Sequence, residues 1–189
     1  MSSLAVTANR RPIPILTYHQ IAQPPVSGAP FRSLYVTPAR FHQQMSLLKH
    51  LGYQGLSMRD LMPYLRGEKQ GKVVGITLDD GYLNNYTDAM PVLLAHGFTA
   101  TCYVVSRLLG KSNEWDHAIG IAPTSLMTAQ QIQDWSRAGL EIGAHTRTHA
   151  NLVKASALES QSELQDCKNE LEDLLALPVD QFCYPFGIY

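Results

Sequence analysis

Short apolar runs rich in β-branched residues alternate with segments of helical periodicity, and that alternation constrains the fold more than any other feature of the chain. Residues 13–18, 73–78, 99–105, 140–144 and 181–184 have strand length and strand composition. The run Val73-Val74-Gly75-Ile76-Thr77-Leu78 lacks strict polar alternation, which is the pattern of a strand covered on both faces. Helix signals fill the gaps. Thr37-Pro38 places an N-cap before a proline at the first helical position, and that helix runs to about Leu51 and Gly52. A shorter helix is expected from Ser57 to about Leu65, and another from Thr87 to His96, closed by Gly97. Thr128 with Gln131 and Ser156 with Glu159 are capping boxes. After the second, Leu164, Cys167, Leu171, Leu174 and Leu175 recur at helical spacing until Pro178. Residues 106–127, with Gly110, Gly120 and Pro123, are expected as a long loop.

Strand, helix, strand in this order predicts an α/β fold with a parallel sheet and right-handed crossovers. A closed (β/α) barrel takes about 250 residues. The 189 residues here stop just after a strand, so an incomplete barrel is expected, forming one domain over 1–189. The net charge of −1 gives no electrostatic basis for binding nucleic acid or an anionic membrane. No apolar run reaches the ~20 residues of a membrane span. Residues 1–11 lack the apolar core of a signal peptide, and Arg10 and Arg11 follow the mildly apolar stretch instead of preceding it. The location is therefore left open: cytoplasmic, or periplasmic or extracellular if a leader has been cleaved. Cys102, Cys167 and Cys183, odd in number and widely spaced, read as small buried side chains and not as a disulfide framework.

Three segments carry chemistry. Thr77-Leu78-Asp79-Asp80-Gly81-Tyr82 puts two adjacent carboxylates at the C-terminal end of a predicted strand, where parallel α/β folds keep their active sites. A nearby cation would relieve their repulsion; an Asx turn completed by Gly81 is the other reading. His145-Thr146-Arg147-Thr148-His149 also follows a strand. Histidines at i and i+4 lie on one side of a helical turn and can share a metal, or they can be incidental at a helix start. With one carboxylate they give three ligands and open positions, the layout of a catalytic metal. Phe182-Cys183-Tyr184-Pro185-Phe186-Gly187 reads by itself as a strand entering a turn.

In this order the three segments resemble the polysaccharide deacetylases of the NodB-homology type, carbohydrate esterase family four. The first motif of that family, Thr-Phe-Asp-Asp-Gly, reads Thr77-Leu78-Asp79-Asp80-Gly81 here; the second, His-Ser/Thr-x-x-His, reads His145-Thr146-Arg147-Thr148-His149; the third, Arg-x-Pro-Tyr/Phe, reads Cys183-Tyr184-Pro185-Phe186. The likeness covers residues 73–189. The opening Leu16-Thr17-Tyr18-His19-Gln20-Ile21 is similar to the branch that deacetylates poly-N-acetylglucosamine in biofilm exopolysaccharide. The resemblance implies a distorted (β/α) barrel, truncated after the third motif. It implies a hydrolase that removes N-acetyl groups from an N-acetylglucosamine polymer with a divalent metal, zinc first, cobalt or nickel as alternatives. Asp80, His145 and His149 would bind the metal. Asp79 would be the general base, and the Phe186 backbone N–H would donate to the oxyanion. An O-deacetylase of the acetylxylan-esterase kind and a carbohydrate-binding pseudoenzyme are the rivals. Cys183 replaces the arginine that pairs with the catalytic aspartate in the family, so Asp79 must be tuned otherwise. The Leu-x-His that supplies the general acid would lie beyond Tyr189.

Other residues read more plainly. His19, at a strand end, is expected to be structural, though it could line the site. Tyr82 is expected to pack or to touch substrate. Trp115, in the long loop, is a candidate for stacking on a sugar, whereas Trp135 belongs in the core. Arg147 and the acids between Glu159 and Glu172 read as solvated. His42, His50, His96 and His117 default to structure or surface.

Overall fold

The computed structural model describes residues 12–189, so the readings at residues 1–11 lie outside the described residues. Five parallel strands form the sheet: β1 (Ile15–Tyr18), β2 (Gln54–Leu56), β3 (Val73–Leu78), β4 (Thr101–Val104) and β5 (Glu141–Ala144). They are ordered β1-β3-β4-β5. β1 pairs with β3 from Ile15↔Gly75 to Tyr18↔Leu78. β2 pairs with the start of β3 and is also tied to the approach to β4, where the Thr99 N–H donates to the Gly55 carbonyl at 3.0 Å. β3, β4 and β5 are buried along their whole length, which for β3 is what its unalternating sequence predicts.

The helices are α1 (Pro38–His50), α2 (Met58–Leu65), α3 (Met90–His96), α4 (Ala129–Arg137) and α5 (Ala157–Leu175). Thr37, Ser57, Thr128 and Ser156 each cap a helix through the side chain, and both capping boxes form. The helices press their apolar stripes on the sheet through Phe41 and Met45, Leu93, Ile132 and Trp135, and Cys167 and Leu171, which are all fully buried. Each buried aliphatic or phenyl side chain of this set contributes about 1.5–3 kcal/mol relative to exposure. The Trp135 indole N–H is satisfied by the Glu141 carbonyl at 3.0 Å. Among the described residues no helix is long and apolar enough to cross a membrane.

Several expectations are corrected. The strand expected at 181–184 is reduced to one bridge, Ala144↔Phe182, flanked by two backbone hydrogen bonds. Its Pro185 and the left-handed Phe186 (φ 61°) end the pairing. β2 has only three residues, too few for a periodicity to show. The helix expected from Thr87 opens earlier, as a π-helical turn over Asn85–Ala89. The long loop at 106–127 contains 3₁₀ turns at Ser106–Leu108 and Glu114–Ile119 and folds back through bridges Tyr82↔Leu126 and Ser112↔Ser125. Among the described residues the sheet stays open between β1 and β5 and does not close into a ring.

Candidate metal centre

The C-terminal ends of β1, β3 and β5 share one rim because the strands are parallel. That rim receives His19 from β1, Asp79 and Asp80 from β3, and His145 from β5. Just past Leu78 the chain turns sharply: Asp80 and Gly81 both have φ 73°. A Cβ at Gly81 would lie 2.9 Å from Val104 Cγ1, so the second residue of this turn must be glycine. Asp80 has no such freedom and is held in a conformation that costs a non-glycine residue about 1–3 kcal/mol. Thr146 (φ 63°), His149 (φ 62°) and Phe186 (φ 61°) are held likewise. Four of the six non-glycine residues with positive φ among the described residues thus fall in the three motif segments. Strain concentrated in this way is typical of sites whose geometry is fixed by function.

Asp80, His145 and His149 are buried, and one ligand atom from each lies within 4.8 Å of the others. Both Nε2 atoms stand 3.3 Å from the same oxygen, Asp80 Oδ1. The helical turn expected to join the histidines is absent. Residues 145–149 form a loop, and the left-handed Thr146 and His149 aim the second imidazole back at the first, with ring centroids 5.0 Å apart. His145 Nδ1 lies 2.8 Å from the Cys183 carbonyl, an acceptor, so Nδ1 carries the proton and Nε2 faces Asp80.

Burial alone would raise the Asp80 carboxyl, but the two imidazoles outweigh it and hold the pKa well below the usual carboxylate range. Burial alone would lower His145; Asp80, the Cys183 side chain and Asp79 overcome it and push the imidazole up to about 10. Two imidazole nitrogens at 3.3 Å from one buried carboxylate oxygen call for a cation among them, either protons or a metal ion. The spacing suits a metal. Neighbouring ligands on a tetrahedral ion with bonds of about 2.0–2.1 Å stand about 3.3–3.4 Å apart. One carboxylate and two imidazoles, one with its other nitrogen hydrogen-bonded to a carbonyl, form a donor set that fits a divalent ion.

Asp79 is 7% exposed, and its Oδ1 has no hydrogen-bond partner among the described residues. Its Oδ2 faces His19 Nε2 at 3.8 Å and the Cys183 thiol at 3.9 Å. Burial raises its pKa above the ordinary value, and adjacent Asp80 adds to this, while His145, His19 and His149 oppose it. The His149 ring stacks on Trp115 at 4.3 Å and meets the Phe186 ring edge-on at 4.5 Å. Tyr82 is buried beside Asp80, and burial pushes its phenol far up.

The structure therefore brings together every residue singled out for the site: Asp79, Asp80, His145, His149 and Phe186. Trp135 is core, as expected, and so are Cys102 and Cys167. Four residues stand closer to the site than the sequence suggested. His19 and Cys183 flank Asp79, and Trp115 packs on an imidazole instead of standing free. Arg147, expected to be solvated, donates through Nε to Glu170 Oε1 at 2.8 Å. The strand-end position of His19 was a signal available in the sequence. For Glu163, which binds the backbone of the histidine loop at Arg147 and Thr148, there was none, because acids at helical spacing look the same whether solvated or engaged.

Comparison with known proteins agrees with this geometry. The sequence profile of the polysaccharide deacetylases matches residues 66–189. The Bacillus subtilis (strain 168) protein YxkH, which carries a polysaccharide deacetylase name, is 31% identical over 179 residues; the match takes in 94% of this chain and 57% of YxkH. The chain thus spans little more than half the length of that relative. Among solved structures, the Streptococcus pyogenes deacetylase PplD in complex with acetate superposes with a TM-score of 0.76 at 29% identity, over 94% of this chain and 75% of PplD. IcaB from Ammonifex degensii gives the same TM-score, 0.76, over 94% of this chain and 75% of its own, and at 24% identity is evidence of a shared fold.

Proposed function

The chain belongs to the polysaccharide deacetylase family, and from that premise we propose that it is a metal-dependent hydrolase that removes N-acetyl groups from a polysaccharide, an N-acetylglucosamine polymer of the exopolysaccharide kind. The observation that carries this reading is the convergence of two Nε2 atoms on Asp80 Oδ1 at 3.3 Å, beside a second buried carboxylate. A divalent ion in that donor set, zinc by preference and cobalt or nickel as alternatives, supplies Lewis acidity toward an amide carbonyl and makes water more acidic.

The rest falls to the residues of the chain. Asp79, with one oxygen unpartnered beside the donor set, accepts a proton from the attacking water. His19 and Cys183 occupy its other oxygen, at 3.8 and 3.9 Å, and orient the carboxylate where other family members use an arginine. The Phe186 N–H donates to the oxyanion of the tetrahedral species, and the left-handed backbone there fixes its direction. The polymer assignment rests on the opening segment Leu16-Thr17-Tyr18-His19, whose histidine stands at the site.

The test is acetate release, by the metal-supplemented protein extended to its natural C-terminus, where the Leu-x-His that would protonate the leaving amine is expected, from N-acetylglucosamine oligomers and, in parallel, from O-acetylated xylan. Acetate with matching free amine from the first substrate supports N-deacetylation. Release from xylan alone makes the protein an O-deacetylase. Binding of oligomers with no acetate from either substrate makes it a carbohydrate-binding protein.

A further inference from the structure

The loop between the two histidines has little regular structure to hold it, and it carries two left-handed residues. The Arg147 carbonyl accepts from the Arg107 N–H at 3.0 Å and Thr146 Oγ1 accepts from the Ala150 N–H at 3.1 Å, while the amides at the centre of the loop are held by one carboxylate on α5. Glu163 Oε2 accepts from the Arg147 N–H at 2.8 Å and from the Thr148 N–H at 2.9 Å, and Oε1 accepts from the Thr148 hydroxyl at 2.7 Å. Two consecutive amides pointing at one anion form a nest, which follows from the left-handed turn at Thr146. The acids one and two turns further along α5 grip the same loop from outside: the Arg147 guanidinium meets Asp166 and Glu170, and Glu170 also accepts from the Ser106 hydroxyl at 2.6 Å. Positions 163, 166 and 170 lie on one face of α5, while Cys167 and Leu171 anchor the helix in the core. The helix therefore acts as a splint whose inner stripe packs on the sheet and whose flank fixes the loop.

We infer that Glu163 is a positioning residue of the active site: by chelating the amides of Arg147 and Thr148 it sets the turn that brings the His149 imidazole to Asp80 beside that of His145. The inference rests on the metal-dependent reading above and extends it to a side chain that touches neither metal nor substrate. It requires that loss of the carboxylate loosen the ligand set more than it loosens the fold.

The experiment uses the full chain as wild type, Glu163→Ala and Glu163→Gln, with cobalt(II) as the probe. Cobalt affinity and visible absorption are measured by titration, folding by circular dichroism and thermal melting, and the side-chain imidazole signals of the metal-free proteins by ¹⁵N NMR. The alanine variant is expected to bind cobalt about 10–100-fold more weakly, the range for losing a group that orients a metal ligand. Its His149 signals should shift or broaden while its secondary structure is kept. The glutamine variant, whose amide oxygen can still accept both backbone N–H groups, should recover a large part of the affinity. Equal affinity and an unchanged spectrum in the alanine variant overturn the inference. If alanine gives an unfolded chain, the glutamine variant decides: near wild-type affinity and imidazole signals support positioning, and folded protein with alanine-like weak binding refutes it. If the wild type itself binds no cobalt, the metal reading fails and the imidazole signals judge the positioning alone. Movement of His149 in Glu163→Ala then upholds it, and no movement overturns it.

Discussion

The two halves of the site are built in opposite ways. Asp79 and Asp80 extend directly from β3, the most deeply paired strand, with β1 on one side and β2 and β4 on the other. The Asp79 N–H itself closes the ladder by donating to the Tyr18 carbonyl at 2.9 Å. The carboxylates are placed by the sheet, and anything that keeps the sheet keeps them. His149 stands five residues beyond the end of β5, in a strained loop held by side chains of a separate helix. The contrast separates two demands: the base and the ligands at the strand ends must be immobile, whereas the last ligand must close on an ion that arrives after folding. The first is met by backbone pairing, the second by a loop with a tunable restraint.

The most severe way to break the comparison is on the rigid side. Asp79→Asn keeps the shape of the side chain and the charge of Asp80, so metal content should be unchanged while turnover falls by about 10²–10⁴-fold, the range for losing a positioned general base. Elemental analysis and acetate release, measured on the same preparation, check it. Activity retained in Asp79→Asn removes the base role. On the loop side the order reverses. His149→Ala deletes one donor and the ring that Trp115 and Phe186 pack against. Metal affinity should drop first, by about 100-fold or more, beyond what losing an outer hydrogen-bond partner produces. Chelator competition checks this, and loss of activity at saturating metal should be the smaller effect.

The same contrast explains what could be read from the sequence. The strand-borne half was legible because apolar β-branched runs followed by polar residues mark strand ends, and a parallel sheet puts all such ends on one rim. That logic located Asp79, Asp80 and His145 and would have placed His19. The loop-borne half was legible only as a pair of histidines four apart. That spacing suggested a helical turn, whereas Thr146 and His149 adopt left-handed backbone that no propensity favours. The bonds that stabilise this conformation come from Glu163, fourteen residues after His149, on a helix whose acidic face has the same pattern as a solvated one. Position 183 shows a different limit. The motif match set it where the family arginine meets the catalytic aspartate, but a lone cysteine in a short terminal run carries no sign that its thiol will take up that contact or that its carbonyl will orient His145.

A smaller effect should come from the turn that joins the carboxylates to the sheet. Gly81→Ala forces a Cβ to within 2.9 Å of Val104 Cγ1 at a φ of +73°. It should lower stability by about 1–3 kcal/mol, measurable in urea unfolding. If the sheet places the carboxylates as argued, the folded fraction should bind metal with little change in affinity. A large drop in affinity at full folding would mean that the β3 end is itself a soft element, and the two halves would then be less different than described.

The smallest effect separates two ways of holding the loop. The Arg147 side chain reaches Glu170 at 2.8 Å and Asp166 at 3.4 Å, but the bonds to Glu163 run from the backbone N–H groups of residues 147 and 148. Its guanidinium is partly exposed, so solvent and salt screen the ion pairs. Arg147→Gln therefore removes the outer grip and leaves the nest intact. Cobalt affinity should stay within about threefold of wild type, and its dependence on sodium chloride should flatten, since the screened pairs are gone. If Arg147→Gln instead weakens binding as much as Glu163→Ala, the ion pairs hold the loop and the amide nest only follows them. Affinity that stays high and flat with salt identifies the chelated backbone as the restraint that keeps His149 turned toward Asp80.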